Sequence, residues 1–214
     1  MRDTAGHDPA RIDPVAAGPL AGPLVRLEPL EHHHVPALVA AADGGGELYR
    51  WSAVPQDEAQ VRRYVQAAVA ARQAGQAVPF AVVRMADEQV IGSTRFFDLD
   101  YWAWPQGRRR TGPDTCEIGH TWLSPGAIRT GANTEMKRLM LTHAFETWQV
   151  RRVTLKTDSR NARSRAAIER IGARLDGVLR AHMPAFDGAV RDTAFYSILA
   201  SEWPQVKEGL IRRA

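Results

Sequence analysis

Cysteine is nearly absent: Cys116 is the only one in 214 residues. A disulfide scaffold and a four-cysteine zinc site are excluded, and a reducing compartment is the natural reading. The amino end, MRDTAGHDPA, lacks the apolar core of a signal peptide, and no run approaches membrane-spanning length. Both absences predict a cytoplasmic chain with no membrane contact. A concentration of charge is missing too. Lys and Arg number 28 against 24 Asp and Glu, a formal net charge of +4. A dedicated nucleic-acid binder usually gathers its charge more tightly, so no nucleic-acid partner is expected, and a pocket for an anionic cofactor explains the balance as well. With 44% hydrophobic and 24% charged residues the chain is not a mainly disordered one.

Residues 1–22 are rich in Ala, Gly and Pro and read as a disordered N-terminal arm. Residues 23–214 read as one packed domain without internal repeats. The patterning predicts a strand at Leu24–Leu27, a helix from Pro29 and Glu31 to about Ala42, and a helix over Gln56–Ala74. Strands follow at Val78–Met85, Val90–Phe97 and Thr115–Leu123, after a Trp-containing loop over Tyr101–Pro113 that carries Arg108, Arg109 and Arg110. Thr134–Trp148 reads as the strongest helix. It precedes a strand at Arg152–Thr157, a helix at Asn161–Ile171, strands at Leu175–Met183 and Asp192–Leu199, and a short last helix from near Ser201. The strand–helix–strand unit from Thr115 to Thr157 requires a right-handed parallel crossover. The class is α/β, mixed around one sheet.

Two strand-to-helix turns draw attention. The stretch from Trp122 to Thr134 passes Pro125, Gly126 and Gly131 and has no acidic residue, while Arg129 is positive. Free amides at a helix N-terminus beside an Arg make a phosphate cradle; the plain alternative is Asn133 as an N-cap. It has neither the Gly-Lys-Ser/Thr of a P-loop nor dinucleotide-fold glycine spacing. One strand later, Asp158–Ser164 opens the next helix with capping spacing between Asn161 and Ser164 and with Arg160, Arg163 and Arg165 around it. Two such turns in succession face one crevice at the carboxyl edge of a sheet.

The segments Cys-Glu-Ile-Gly-His-Thr-Trp-Leu (116–123), Arg-Thr-Gly-Ala-Asn-Thr-Glu (129–135), Asn-Ala-Arg-Ser (161–164) and Ile-Gly-Ala (171–173) resemble the GNAT acetyltransferase superfamily. They look most like its Rim-type branch, which acetylates ribosomal-protein N-termini, over about Leu24 to Trp203. The resemblance implies a mostly antiparallel sheet with a central splayed parallel strand pair, flanked by helices, and an acyl transfer from acetyl-CoA. The pantetheine arm would enter between Thr115–Leu123 and Arg152–Thr157, along Trp122 and Leu123. The pyrophosphate would rest on amides of Arg129, Thr130, Gly131, Ala132, Asn133 and Thr134, with Asn161 on the pantetheine side. Ile128 stands where the family's phosphate loop commonly has Gln or Arg, and Asn133 where it has Gly or Ala. Ile168 replaces a Tyr that serves many members as general acid. Lys156 replaces the strand glutamate that serves some Rim-type members as base.

Amide formation from a thioester needs a neutral amine, an oxyanion donor and a proton source for the thiolate. Glu117, mid-strand among apolar neighbours, is expected either to take the ammonium proton or to form a structural ion pair with an Arg. Strand alternation would place it on one face with Thr121 and opposite His120, which is expected in the core. Ser164 either donates toward the thiolate or only caps its helix. Tyr101, Trp102 and Trp104 are core, a lid or an acceptor-pocket wall. Cys116 is expected to be inert, which disfavours an acyl-cysteine route. His32, His33 and His34 cannot face one metal together, so no metal is expected. The favoured reading is an N-acetyltransferase using direct amine attack in a ternary complex, with acetyl-CoA and an amine acceptor as partners, as monomer or homodimer. The alternative is a non-catalytic acyl-CoA-binding regulatory module.

Overall fold

The computed structural model describes residues 17–106 and 112–212. The first sixteen residues of the expected arm and the Arg108–Arg110 run lie outside them. Eight strands form one sheet: β1 (Leu20–Ala21), β2 (Val25–Pro29), β3 (Ala77–Arg84), β4 (Gln89–Asp100), β5 (Thr115–Leu123), β6 (Arg152–Asp158), β7 (Arg174–Pro184) and β8 (Val190–Leu199). Their order is β1-β2-β3-β4-β5-β6-β8-β7. The pairing of β5 with β6 is parallel and every other pairing is antiparallel. Leu20 and Ala21, at the end of the stretch expected as an arm, pair with Leu27 and Arg26.

Five helices flank the sheet: α1 (Val35–Ala42), α2 (Glu58–Gln73), α3 (Ala132–Thr142), α4 (Ala162–Arg170) and α5 (Trp203–Ile211). Asp57 caps α2 by accepting from the Gln60 amide, and Asn161 caps α4 by accepting from the Ser164 amide. The first expected helix begins as a 3-10 turn over His32–His34, with the α-helix starting only at Val35. The central helix begins at Ala132, two residues before the expected start. Its N-cap is Gly131 in the left-handed region (φ 86°), so Asn133 is not the cap. Beyond Thr142 it widens into a π turn over His143–Thr147.

Two cores hold the layers together. Cys116, Ile118, Val153, Leu155 and Tyr196 pack with Met136, Met140 and Leu141 of α3 and Ile168 of α4. On the other face, Leu38 of α1 and Val61, Val65 and Ala68 of α2 close over Ala81 and Trp122. Glu117 and Lys156, which alternate with the first set along β5 and β6, share the α1–α2 face.

Two irregularities shape the middle of the sheet. Strands β5 and β6 pair only at Thr115↔Arg152, Cys116↔Val153 and Glu117↔Thr154, and then diverge. Across the β4–β5 ladder, Ser93 still opposes Trp122 but Arg95 opposes Gly119, so Thr94 faces both His120 and Thr121. This is a β-bulge with His120 in left-handed backbone (φ 48°). The extra residue turns Thr121 toward α3, where it meets Lys137. Glu117 and Thr121 therefore lie on opposite faces, and His120 is exposed instead of buried. Both departures from the expected alternation have that one cause.

Candidate functional site

Past Glu117 the β6-facing edge of β5 has no strand beside it, and past Thr154 β6 pairs only with β8. The resulting wedge has the N-terminus of α3 beyond the end of β5 and the N-terminus of α4 beyond the end of β6. At α3, the Gly131 carbonyl receives its helical bond from Glu135. The amides of Asn133 and Thr134 thus precede the first intrahelical donor and are available to an anion. A Cβ on Gly131 would lie 3.1 Å from Leu24 Cδ1. Arg129 is exposed beside this turn, with left-handed backbone (φ 64°).

At α4 the expected basic face is mostly committed to the fold. Arg160 pairs with Asp158 at 2.8 Å and Asp187 at 2.9 Å and stacks on Trp51. Arg163 donates to the Leu48 carbonyl, and Arg165 to Tyr196. Asn161 spends its side-chain oxygen on the Ser164 amide at 3.0 Å. Ser164 itself is half-buried on the first turn of α4. A cavity of about 290 Å³ lined by Leu48, Trp51, Arg160 and Asn161 opens here. Trp122 and Leu123 are buried, and the Leu123 carbonyl accepts from Tyr49 Oη at 2.9 Å. They would meet a ligand in the wedge through backbone rather than side chain. The Trp122 indole N–H is buried and has no partner among the described residues.

Glu117 stands where the wedge begins. It is 4% exposed and its Oε2 lies 3.0 Å from Lys156 Nζ. The partner is thus a lysine, not the expected arginine. Burial pushes the Glu117 carboxyl up to about 7, outweighing the opposing pull of Lys156. Lys156 also lies over the rings of Phe97 (5.3 Å) and Phe195 (6.0 Å) and 3.8 Å from Asp98. The His120 ring packs edge-on against Phe97. That crowding, with the positive charges of Arg95 and Lys156, pulls its pKa down to about 4 although the residue as a whole is exposed. It is a neutral imidazole at physiological pH. On the opposite face Lys137 donates to Thr121 Oγ1 at 2.8 Å, and burial lowers its pKa to about 7. The Cys116 thiol is pushed well up by burial, then by Glu117, and is no nucleophile.

Residues 25–174 match the acetyltransferase (GNAT) domain model. The chain belongs to the GNAT acetyltransferase family. A GCN5-related N-acetyltransferase from Brucella melitensis is 30% identical, with a TM-score of 0.78 over 91% of this chain and 84% of that one. Mycobacterium smegmatis RimJ, solved in complex with CoA-disulfide, shares the fold at 22% identity, with a TM-score of 0.74 over 92% of this chain and 97% of that one. YdaF of Bacillus subtilis (strain 168), whose assigned name is that of a ribosomal N-acetyltransferase, is 34% identical over 87 residues. That match covers 41% of this chain and 46% of YdaF, so less than half of that relative is spanned.

These matches place the chain in the GNAT family and fold. Glu117 lies where β5 and β6 diverge, and the α3 and α4 turns lie beyond the ends of those strands. Arg95 and the partnership of Lys156 with Glu117 went unnoticed in the sequence. Among the described residues no helix is long and apolar enough to cross a membrane. No group of three or more His, Cys, Asp or Glu among them is placed to hold a metal ion.

Proposed function

We propose that this GNAT protein transfers acetyl from acetyl-CoA to a primary amine, by direct attack in a ternary complex with Glu117 as the base. The observation that carries the reading is a buried carboxyl with a pKa of about 7 at the opening between β5 and β6. A base poised near neutrality is half ionised where it must work, and it still returns its proton readily. Lys156 holds the carboxylate in place and keeps its pKa from rising further. The residues present fit acetyl-CoA: Asn133 and Thr134 offer unpaired amides, Arg129 adds charge, and Gly131 keeps the approach free of a side chain. The donor supplies an acetyl group already activated as a thioester. Ser164, on the first turn of α4, is the proton donor toward the thiolate side. Ile168 stands at the position of the family's tyrosine and is buried in the core, so it offers no proton. Holding both substrates in one wedge supplies much of the remaining acceleration.

Acetyl-CoA at a hundred times its Kd should stabilise the fold by ~2.7 kcal/mol, a rise in Tm of roughly 5–10 °C for a chain of this size. Thiol release should follow when amines and N-terminal peptides are offered as a panel. Binding without thiol release from any amine would favour the non-catalytic regulatory module. No shift and no calorimetric heat with millimolar acetyl-CoA would end the reading. Gly131→Asp should abolish the shift, because it sets a carboxylate in the cradle. It also forces a side chain into left-handed backbone at about 1–2 kcal/mol. An undiminished acetyl-CoA shift in this variant would place the phosphates elsewhere.

A further inference from the structure

Arg95 of β4 is 8% exposed, yet no described residue pairs with it as an anion or accepts a hydrogen bond from it. Its Nε is buried and unpartnered. Among the described residues the guanidinium stacks on the ring of Tyr64 on α2, 5.0 Å from Cζ. Cation–π stacking returns about 0.5–2 kcal/mol but leaves the buried Nε–H without an acceptor, at a cost of about 1–3 kcal/mol. Stacking alone therefore does not account for a buried cation here. Other arginines of the chain show what a structural one looks like: Arg160 holds two aspartates, and Arg72 holds Glu31 at 2.6 Å.

The position is as informative as the missing partner. Arg95 opposes Gly119 across the β4–β5 ladder, at the bulge. A Cβ built on Gly119 would lie 2.8 Å from the Phe97 ring and 3.4 Å from Glu117 Oε1. Arg95 thus lies on the same face as Glu117, two residues along β4 from Phe97, which opposes Glu117, and it lies close enough to His120 to lower the pKa of that ring. Across the same face Arg191 of β8 also has a buried, unpartnered Nε. Burial lowers its pKa, against the pull of Asp158 and Glu117. The surroundings of the proposed base therefore carry three cations, Arg95, Lys156 and Arg191, and a neutral imidazole. Among the described residues, Lys156 is the one of the three that contacts a carboxylate directly.

We propose that Arg95 is a carboxylate-binding residue of the transfer site, so that one of the two substrates, the amine or the acyl group, carries a carboxylate. This rests on the acyl-transfer reading above. A guanidinium fork matches a carboxylate in shape and charge, pairing two N–H groups with two oxygens. The nearby Glu117 and Asp98 disfavour a doubly charged group. The substrate's carboxylate then completes an ion pair that the fold leaves half made.

The test has two arms. The acceptor arm compares α-amino acids and short peptides with the same compounds as carboxamides, using acetyl-CoA. The donor arm compares succinyl-CoA with acetyl-CoA, by calorimetric binding as well as turnover. In one arm the carboxylate form should be preferred by roughly ten- to a hundredfold, as expected for a charge-assisted hydrogen-bonded pair. Arg95→Gln should bring that ratio close to one with acetyl-CoA affinity unchanged, and Arg95→Lys should restore part of it. Arg95→Met should melt no lower than wild type, since it removes an unpaired buried charge. No carboxylate preference in either arm, a preference that survives Arg95→Gln, or a strongly destabilised Arg95→Met would each overturn the assignment. A wild-type protein that binds acetyl-CoA yet ignores carboxylates refutes this inference alone. One that binds no acetyl-CoA refutes the transferase reading first.

Discussion

Glu117→Gln is expected to slow acetyl transfer by ~10²–10⁴ while leaving acetyl-CoA affinity nearly unchanged, the usual effect of losing a general base. The amide keeps the shape and its hydrogen bond to Lys156 and loses only basicity. In the wild type, kcat/KM should fall tenfold per pH unit below about 7, where Glu117 takes up its proton. In the variant that limb should vanish. Its defect should shrink at high pH, where more of the amine is already neutral. Stability supplies an independent check. The folded chain holds the Glu117 proton up to about 7, and the unfolded chain releases it near 4.5. That contribution is complete below pH 4.5 and is lost as pH rises through about 7. It corresponds to roughly 3 kcal/mol at 1.36 kcal/mol per pH unit. Denaturant titrations between pH 4 and 8 should therefore show the wild type losing this much relative to Glu117→Gln. A variant with a wild-type rate and pH profile would make Glu117 a structural partner of Lys156.

Glu135→Ala should give the largest loss of stability. Glu135 is 1% exposed, and its Oε2 accepts from the Leu24 amide at 2.5 Å and the Val25 amide at 2.9 Å. Its Oε1 meets Arg138 at 3.3 Å. Removing the carboxylate leaves two main-chain donors at the start of β2 without an acceptor, at a cost of about 2–5 kcal/mol. Thermal unfolding should fall by roughly 5–15 °C. Leu24 also abuts Gly131, so displacing it should weaken acetyl-CoA binding as well. Glu135→Gln, which keeps an acceptor oxygen, should lose far less. Equal melting temperatures for wild type and Glu135→Ala would mean that β2 is held without this side chain.

Elements with strong periodicity were legible in the sequence. The strand Thr115–Leu123 has the expected bounds, and α2 lies within two residues of them, because Asp57 and Gly75 punctuate it. The wedge was legible through its motifs, since capping residues and glycines have to sit at the two turns. What lay across the sheet was not. The bulge at His120 places left-handed backbone on a residue that gives no sign of it, with Gly119 beside it as the single hint. From that point the two-residue period misassigns both His120 and Thr121. Lys156 meets Glu117 from a neighbouring strand, and no spacing rule links positions 39 apart. Arg95 sits in a strand of ordinary amphipathic composition, and only its burial without an anion sets it apart.

Among the described residues β1 and β7 are the outermost strands of the sheet, and each edge is blunted by a different device. At one end β1 is only two residues long, too short to template another strand. At the other, the ladder of β7 with β8 slips between Leu175 and Gly177 and again between Leu179 and Met183, with Ala181 in left-handed backbone. Arg174, Asp176 and Arg180 add charge along that edge, and Pro184 closes it with no amide to donate. Leu175, Val178 and Leu179 are exposed by 45–51%, yet the backbone beside them offers no unbroken row of donors and acceptors. Stickiness of side chain is thereby uncoupled from continuity of main chain, and edge-to-edge polymerisation requires both.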